Sequence, residues 1–474
     1  MQKSVPKISE LWAKTTLGQI LTFEYGKGLR EDKRDINGSI PVYGSNGLVG
    51  YHSQALTKQP CIIIGRKGSA GLVHLSSVPC WPIDTTYYVE VLEGLDLSFI
   101  FYFLDNLKLS SLDKSTAIPG LNRNDAYSLS ISIPPLPEQH RIVAKIEELF
   151  TKLDAGVSAL KKIKAQLKRY HQAVLKYAFE GKLTEEWREL HKDELEPASV
   201  LLDKIQDERK KSARGKLRES IAMPDLPGLP KGWCWTRLGE IADIKGGITK
   251  NVRRSHDRCR EVPYLRVANV QRGFLDLREM KMIFATDDDI NELILQNGDV
   301  LFNEGGDRDK LGRGWVWNGE IPECIHQNHV FRARFNNELI NSRFVSHYSN
   351  SFGQDYFLNE GKQTTNLASI NLGKLSNLPL PIPPIAEQNV ILLEIESRLS
   401  VADKVEEIIE ISLKQSERLR QCVLKTAFEG KLVPQDPNDE PAEKLLGRIK
   451  AERAQQPDKA SFNRSRSLKQ KESI

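Results

Sequence analysis

Ala178-Phe179-Glu180-Gly181-Lys182-Leu183 recurs letter for letter as Ala427-Phe428-Glu429-Gly430-Lys431-Leu432, 249 residues further on. The same shift carries Ile133-Pro134-Pro135 and Glu138-Gln139 onto Ile382-Pro383-Pro384 and Glu387-Gln388. It carries Val174-Leu175-Lys176 onto Val423-Leu424-Lys425, so nine of the ten positions from 174 to 183 agree. Chance does not produce such a run, and the chain is an internal duplication. A repeat is sought first because missing one mis-assigns the whole fold. It also bears on function: two similar units can each touch one half of a two-part target.

Each repeat reads as a globular part followed by a long helix. Pro134, Pro135 and Pro137 stop any preceding strand, and Glu138 sits where a first-turn carboxylate meets the helix dipole. Pro383, Pro384 and Glu387 do the same in the second copy. Up to Phe179 no further proline follows, and Gly156 is the single glycine. About 44 residues of helix span roughly 65 Å at about 1.5 Å per residue. Positions 142, 146, 149, 153, 156, 160, 163, 167, 170 and 174 alternate steps of four and three, and all but Gly156 are apolar. That is a coiled-coil stripe. The second helix is weaker in this register, with Arg398, Ser412 and Ser416 on it, and Leu399, Ile411 and Leu413 suggest a shifted or broader face. Residues 145–176 carry eight Lys/Arg against three Asp/Glu, and residues 394–425 carry six against seven. We therefore expect the two helices to pair within the chain, antiparallel and with pseudo-twofold symmetry. Packing of each helix on its own globular part, or pairing between two chains, are the alternatives.

Beyond the helices the repeat continues. PASVLLDKIQDERK at 197–210 matches PAEKLLGRIKAERA at 441–454, each an amphipathic short helix. Residues 210–232 read as a basic, then Pro- and Gly-rich linker. Residues 459–474 hold five Lys/Arg and one Glu and read as a disordered tail. The globular parts open alike: Trp12-x-x-Thr15-x-Leu17-Gly18-x-Ile20 returns as Trp233-x-x-Thr236-x-Leu238-Gly239-x-Ile241. Thr116 and Asn122 return as Thr365 and Asn371. Between these marks the two copies do not align by eye. Short β-rich runs such as 61–64, 85–89, 264–267 and 329–333, with helical stretches at 98–107 and 341–358, give an α+β class. The helices are alike and the globular interiors differ, as a shared scaffold carrying two different readers would.

The totals exclude little. The length allows about three domains. A net charge of +5 does not demand nucleic acid, although local basic patches are compatible with it. The six cysteines show no C-x-x-C pair and no zinc-ligand spacing, so reduced thiols in a cytoplasmic protein are expected. Residues 1–10 lack an apolar signal core, and no run approaches the roughly 18 apolar residues of a membrane span.

In its order of motifs the chain resembles the DNA-specificity subunit of type I restriction–modification enzymes. The residues that carry the resemblance are the IPPLPEQ and IPPIAEQ helix starts, the AVLKYAFEGKL and CVLKTAFEGKL helix ends, the Trp-x-x-Thr-x-Leu-Gly openings, and GKLTEEWR after the first helix. The resemblance covers nearly the whole chain apart from the tail. It implies target-recognition domains at 1–136 and 232–385 and long spacer helices at 137–183 and 386–432. A short helix and linker would fill 184–231, and a short helix and basic tail 433–474. It also implies that each domain reads a few base pairs of a split double-stranded DNA target. The helices would set the spacing and dock two methyltransferase subunits, and motor–nuclease subunits would complete the enzyme. S-adenosylmethionine, ATP and magnesium would be bound by those partners and no cofactor by this chain.

Candidate DNA-contacting residues follow from residue type and placement. In the first domain, Gly65-Arg66-Lys67-Gly68-Ser69-Ala70-Gly71 follows an apolar strand, where small residues let a phosphate approach and Arg66 and Lys67 supply charge. Tyr43-Gly44-Ser45-Asn46-Gly47 is a second polar loop, with an asparagine suited to adenine. Either loop also fits an ordinary hairpin turn. Arg123 joins this set. In the second domain, residues 245–266 hold seven Lys/Arg against two acidic residues, including Arg253, Arg254 and Arg266. Asn303, Glu304, Arg308 and Lys310 mix the residue types that read base edges. Gln327, Asn328 and His329, and Gln363, Thr364 and Asn366, are further amide-rich candidates. The acidic residues near 304–309 have no adjacent cluster to complete a metal site.

No catalytic motif appears. Both double prolines sit in Ile-Pro-Pro and not in the Asn/Asp-Pro-Pro-aromatic motif of methyltransferases. Walker A, H-E-x-x-H, a nuclease carboxylate–lysine cluster and the Rossmann glycines are all missing. His74 and His326 read as structural or DNA-contacting. The chain is expected to have no activity of its own. A coiled-coil adaptor without DNA binding is the competing class, and salt-sensitive DNA binding would discriminate. An enzyme of unseen motif would turn over substrate without partners.

Overall fold

Both double prolines end a strand and open a helix in the computed structural model of the chain. It describes residues 11–35, 37–113, 119–211, 226–249, 259–306, 310–336, 338–360, 362–363 and 368–455. Proximity of the backbone divides the chain into two units: described residues up to Lys161 with those from Glu410 on, and Lys162–Ile409. The division falls within both long helices. Each unit therefore holds the start of one long helix and the end of the other. The C-terminal tail and most of the linker lie outside the described residues.

The first domain runs β1 (Ala13–Thr16), α1 (Leu17–Ile20), β2 (Glu24–Tyr25), β3 (Ile40–Gly44), β4 (Gly47–His52), β5 (Cys61–Gly65), β6 (Val73–Ser76), β7 (Trp81–Pro82), β8 (Thr86–Val89), α2 (Leu97–Asn106), α3 (Arg123–Tyr127) and β9 (Ser130–Ile133), and then enters α4 (Leu136–Phe179). One sheet has the order β2-β8-β5-β6 and a second the order β4-β3-β7, with β3 and β7 parallel. Strands β1 and β9 pair separately and bring the two ends of the domain together. Strand β5 is buried on both faces, so its sequence lacks the polar alternation of a half-exposed strand. Ile62 and Ile64 join the core that includes α2, while Cys61 and Ile63 pack with Cys80.

After α5 (Glu185–Leu190) and α6 (Ala198–Lys211), the second domain runs β10 (Cys234–Arg237), α7 (Leu238–Ile241), β11 (Asp243–Lys245), β12 (Arg260–Leu265), β13 (Lys281–Ala285), α8 (Asp287–Leu293), β14 (Val300–Asn303), β15 (Gly305–Gly306), β16 (Gly314–Val316), β17 (Ile325–His326), β18 (Val330–Arg334), α9 (Ser342–Glu360), β19 (Lys362–Gln363), β20 (Ala368–Ser369), α10 (Leu372–Ser376) and β21 (Pro379–Ile382). Then come α11 (Ile385–Phe428) and α12 (Ala442–Gln455). The sheet orders are β11-β18-β14-β16 and β13-β12-β17, with β12 and β17 parallel. These repeat the first domain strand for strand, so the interiors that do not align as letters share one topology. The small β15-β20-β19 sheet has no counterpart among the described residues of the first domain.

The recurring motifs are the frame of each unit. Trp12 Nε1 donates to Glu138 Oε1 at 2.9 Å, and Trp233 Nε1 donates to Glu387 Oε2 at 2.8 Å. Gln139 accepts from the Asp96 amide ahead of α2, and Gln388 accepts from the Asn341 amide ahead of α9. All four of these helix-start side chains are fully buried. Gly18 is required because a Cβ there would lie 2.7 Å from Tyr127 Cβ, and one on Gly239 would lie 2.8 Å from Ser376 Cβ. Each Ala-Phe-Glu-Gly-Lys end is a Schellman cap. Lys182 N–H donates to Tyr177 O and Lys431 N–H to Thr426 O, across glycines at φ +69°.

The two long helices are each 44 residues and begin 249 residues apart. Phe428, ending the second, packs edge-on against Phe99 and Phe103 of α2 in the first unit. Phe179, ending the first, does the same against Phe344 and Tyr348 of α9 in the second unit. In the first unit Arg420 pairs with Asp154 and lies 4.1 Å from the Phe150 ring. In the second, Lys164 meets Glu406 at 3.5 Å and His171 meets Asp403 at 3.3 Å. The half-buried positions of mid-α4 are 153, 157, 160, 164, 167 and 171. The expected stripe is therefore corrected at alternate positions: Gly156, Ile163 and Tyr170 are exposed, and Val157, Lys164 and His171 take their places. Lys164 and His171 there face the α11 carboxylates of Glu406 and Asp403. A polarity count missed them because their polar ends are paired.

Candidate nucleic-acid interface

Three first-domain candidates converge on one open cleft. Strand β5 ends at Gly65, and the chain turns back through Arg66–Gly71 into β6. The Gly71 N–H donates to Gly65 O, and Gly68 and Gly71 stand at φ +80° and +79°, so this loop is a hairpin turn. Its outer strand carries Arg66 and Lys67 toward the segment that opens α3. Leu121 N–H donates to Arg66 O, and Lys67 bridges Gly120. The cleft so formed has a volume of about 360 Å³ and is lined by Arg66, Lys67, Arg123, Asn122, Asn124 and Tyr25, among others. Tyr25 was not among the sequence candidates. Its ring centroid lies 5.5 Å from the Arg66 guanidinium and 5.3 Å from that of Arg123, and it is 54% exposed. Arg66 donates to the Asp84 carbonyl and Arg123 to the Phe23 carbonyl.

The β3–β4 hairpin tip lies against the same loop. His74 Nε2 lies 3.4 Å from Ser45 O, and Ser45 Oγ lies 3.6 Å from where a Gly68 Cβ would stand. Asn46 is exposed at the tip, and Ser69 is half-buried in the neighbouring loop. Tyr43 is half-buried, and burial raises its phenol pKa. Leu48, Val49 and Tyr51 on β4 are exposed apolar side chains beside this tip.

The second domain offers its candidates at the equivalent strand ends. Glu304 stands where Arg66 does: Ile370 N–H donates to Glu304 O as Leu121 N–H does to Arg66 O. Glu304 pairs with His329 Nδ1 at 2.5 Å, and the Asn328 amide lies 3.4 Å from His329 Nε2. Gln327 N–H donates to Leu265 O, which brings it beside Arg266 at the end of β12. Arg266 is itself tied to the carbonyl of Glu279. Asn303 is fully buried, and its amide donates to the carbonyls of Val267 and Val270. It shapes the loop after β12 and presents nothing to solvent. Lys310 is half-buried. Gln363 is described only as part of β19, and Arg253, Arg254, Arg308, Thr364 and Asn366 lie outside the described residues.

His326 is fully buried, and its Nδ1 lies 2.6 Å from Val330 O. Burial and the nearby Arg332 and Arg334 lower its pKa to about 4, so it is a neutral structural histidine. Among the described residues no group of His, Cys, Asp and Glu is placed to hold a metal ion. No helix among them is long and apolar enough to cross a membrane.

A duplicated frame carries two α+β domains of one topology, with basic and amide-bearing residues at their hairpin ends. The sequence matches the family described as Type I restriction modification DNA specificity domain over residues 9–169 and 230–414. The chain belongs to that family. Among its relatives, the EcoKI specificity subunit of Escherichia coli (strain K12) is 26% identical over 428 residues, 85% of this chain and 82% of that one. The EcoDI specificity subunit of Escherichia coli is 24% identical over 471 residues, 95% and 97% of the two chains. The fold is shared with the HsdS subunit from Thermoanaerobacter tengcongensis, at 18% identity over 91% of this chain and 100% of that one, TM-score 0.53. A chain from a study of complex assembly and conformational transition of the type I R-M system gives TM-score 0.62 at 17% identity, covering 90% and 99%.

Proposed function

We propose that this chain is the non-catalytic subunit that gives a type I restriction–modification enzyme its asymmetric, two-part DNA target. Each domain, placed at 1–136 and 232–385, reads one half-site. The observation that carries the reading is the pair of domains with one strand order and different residues at equivalent tips, Arg66 in one and Glu304 in the other. Equal frames place the two tips alike, and unequal tips read different bases. The remaining first-domain candidates, and Arg266, Gln327, Asn328 and His329 of the second, supply contacts of the kinds that hold phosphates and base edges.

The long helices set the distance between half-sites by pairing as an antiparallel coiled coil. The ion pairs that couple α4 to α11 in each unit support this, since a later residue on one helix meets an earlier one on the other. On this reading two methyltransferase subunits dock on the chain. They bring S-adenosylmethionine and methylate adenine outside the base stack. Restriction subunits bring ATP and magnesium for cleavage of unmodified DNA. The test is methylation mapping by single-molecule sequencing in cells carrying this chain with its cognate methyltransferase. An adenine mark in a split asymmetric motif is expected, and exchange of residues 12–132 for a relative's should change one half of it only. An expressed, folded complex that leaves no mark, and DNA binding indifferent to salt, would favour a coiled-coil adaptor instead.

A further inference from the structure

We propose that the Tyr25 cleft clamps one backbone phosphate of the DNA and does not read a base. The inference rests on the function proposed above. Arg66 and Arg123 reach one ring from separate segments, and Lys67 lines the same cleft, which has no carboxylate in its lining. Their anchors are the backbone carbonyls of Asp84 and Phe23, which carry no formal charge. Among the described residues no carboxylate forms an ion pair with either guanidinium, and no acidic side chain lines the cleft. Two guanidiniums held on one ring repel each other, and an anion seated between them relieves that repulsion. A neutral base edge does not. Asn122 spends its side-chain oxygen on the Asn124 N–H, so its amide NH₂ remains to donate. A cleft of donors and cations suits a phosphate, which only accepts.

Tyr25 is the positioning residue, holding both guanidiniums by its ring face. The second domain has no such clamp among its described residues. Glu304 replaces Arg66 there, and Leu372 stands 249 residues after Arg123. The two heads would thus hold DNA differently, the first through a phosphate and the second without this contact.

The test uses the full chain with its methyltransferase subunits. Two duplexes of equal length serve as probes, one carrying the motif found by methylation mapping and one unrelated. For Arg66→Gln, Arg123→Gln and the exposed Lys67→Gln, log affinity against log salt should fall in slope, by about 0.9 in all when the three are combined, the share of one neutralised phosphate. Both duplexes should weaken by the same factor. A single neutral methylphosphonate moved along the first half-site should weaken the wild type at one position and weaken Arg66→Gln less there. Tyr25→Leu should weaken binding, and Tyr25→Phe should restore it. Loss confined to the target duplex, or methylation relaxed at one base pair, would make the cleft a base reader and overturn the proposal. Unchanged slopes in all three charge variants would overturn it too. A wild type that binds both duplexes equally would sink the specificity reading, and the slope and methylphosphonate tests of the clamp would still stand.

Discussion

Thr184 and Val433 occupy equivalent places, 249 residues apart, and the difference between them unbalances two buried carboxylates. Glu387 is fully buried and fully used: Thr184 Oγ1 donates to it at 2.7 Å, Trp233 Nε1 at 2.8 Å, and Arg188 Nε lies 3.6 Å away. Glu138 accepts from Trp12 alone, and its Oε2 is buried without a hydrogen-bond partner. Val433 packs on that unit's core and has no hydroxyl to give. A hydrogen bond to a charged group contributes about 1.5–3 kcal/mol net, and a buried acceptor left unpaired costs about 1–3 kcal/mol. Thr184→Val should therefore destabilise the second frame by about 1–3 kcal/mol, and the near-isosteric Val433→Thr should stabilise the first by about 1 kcal/mol. At 1.4 kcal/mol per decade, amide exchange at β10 and the first turns of α11 should quicken roughly 5- to 140-fold in Thr184→Val. Exchange at β1 should not change in that variant, and should slow in Val433→Thr. Hydrogen exchange followed by mass spectrometry resolves both regions. Unchanged exchange at β10 in Thr184→Val, or faster exchange at β1 in Val433→Thr, would refute the account of Glu138 and Glu387.

Phe179 is 5% exposed and touches the rings of Phe344, Tyr348 and Phe352, so Phe179→Ala should cost about 3–5 kcal/mol. Limited proteolysis should then cut within 342–360, although the substituted residue ends the helix that leaves the first domain; unaltered protection there would contradict the packing. Burial raises the Glu138 pKa, so its contribution to stability is present while it is protonated, at acid pH, and is lost as pH rises through the raised value. Glu138→Gln should accordingly gain on the wild type in thermal melts between pH 4 and pH 7, and a gap that narrows over that range would contradict the sign.

The frame was legible because its signals are local and repeated. Prolines mark the start and a glycine cap the end of each long helix, and their repetition removes chance. The function of the Glu-Gln pair was not legible, since its partners Trp12, Asp96, Trp233 and Asn341 lie far away in sequence. The shared strand order of the two interiors was hidden for a related reason. Topology is held by apolar volume on each strand face, and Cys-Ile-Ile-Ile and Val-Leu-Phe-Asn fill β5 and β14 without sharing letters. Tyr25 was missed because a lone exposed tyrosine has no pattern. Only the fold brings Arg66 and Arg123 to its ring. Asn303 shows the reverse error of composition, an amide that looks like a base reader and spends itself on two loop carbonyls.

These failures and successes share one physical cause, which also explains how such a chain tolerates two different heads. Each frame contact joins a buried polar group to a partner, and losing either partner strands the other at a cost of about 1–3 kcal/mol. Trp12 with Glu138, and Trp233 with Glu387, can therefore change only together, and Gly18 and Gly239 have no room to change at all. The hairpin ends carry no such coupling. Arg66 and Glu304 share a backbone position and its hydrogen bond from Leu121 or Ile370, but their side chains reach different exposed neighbours, the Tyr25 ring and the His329 imidazole. Substitution there alters what the head can hold without stranding a buried group. Val433 marks the limit of the rule: opposite a frame carboxylate, even one missing hydroxyl leaves an oxygen unpaired.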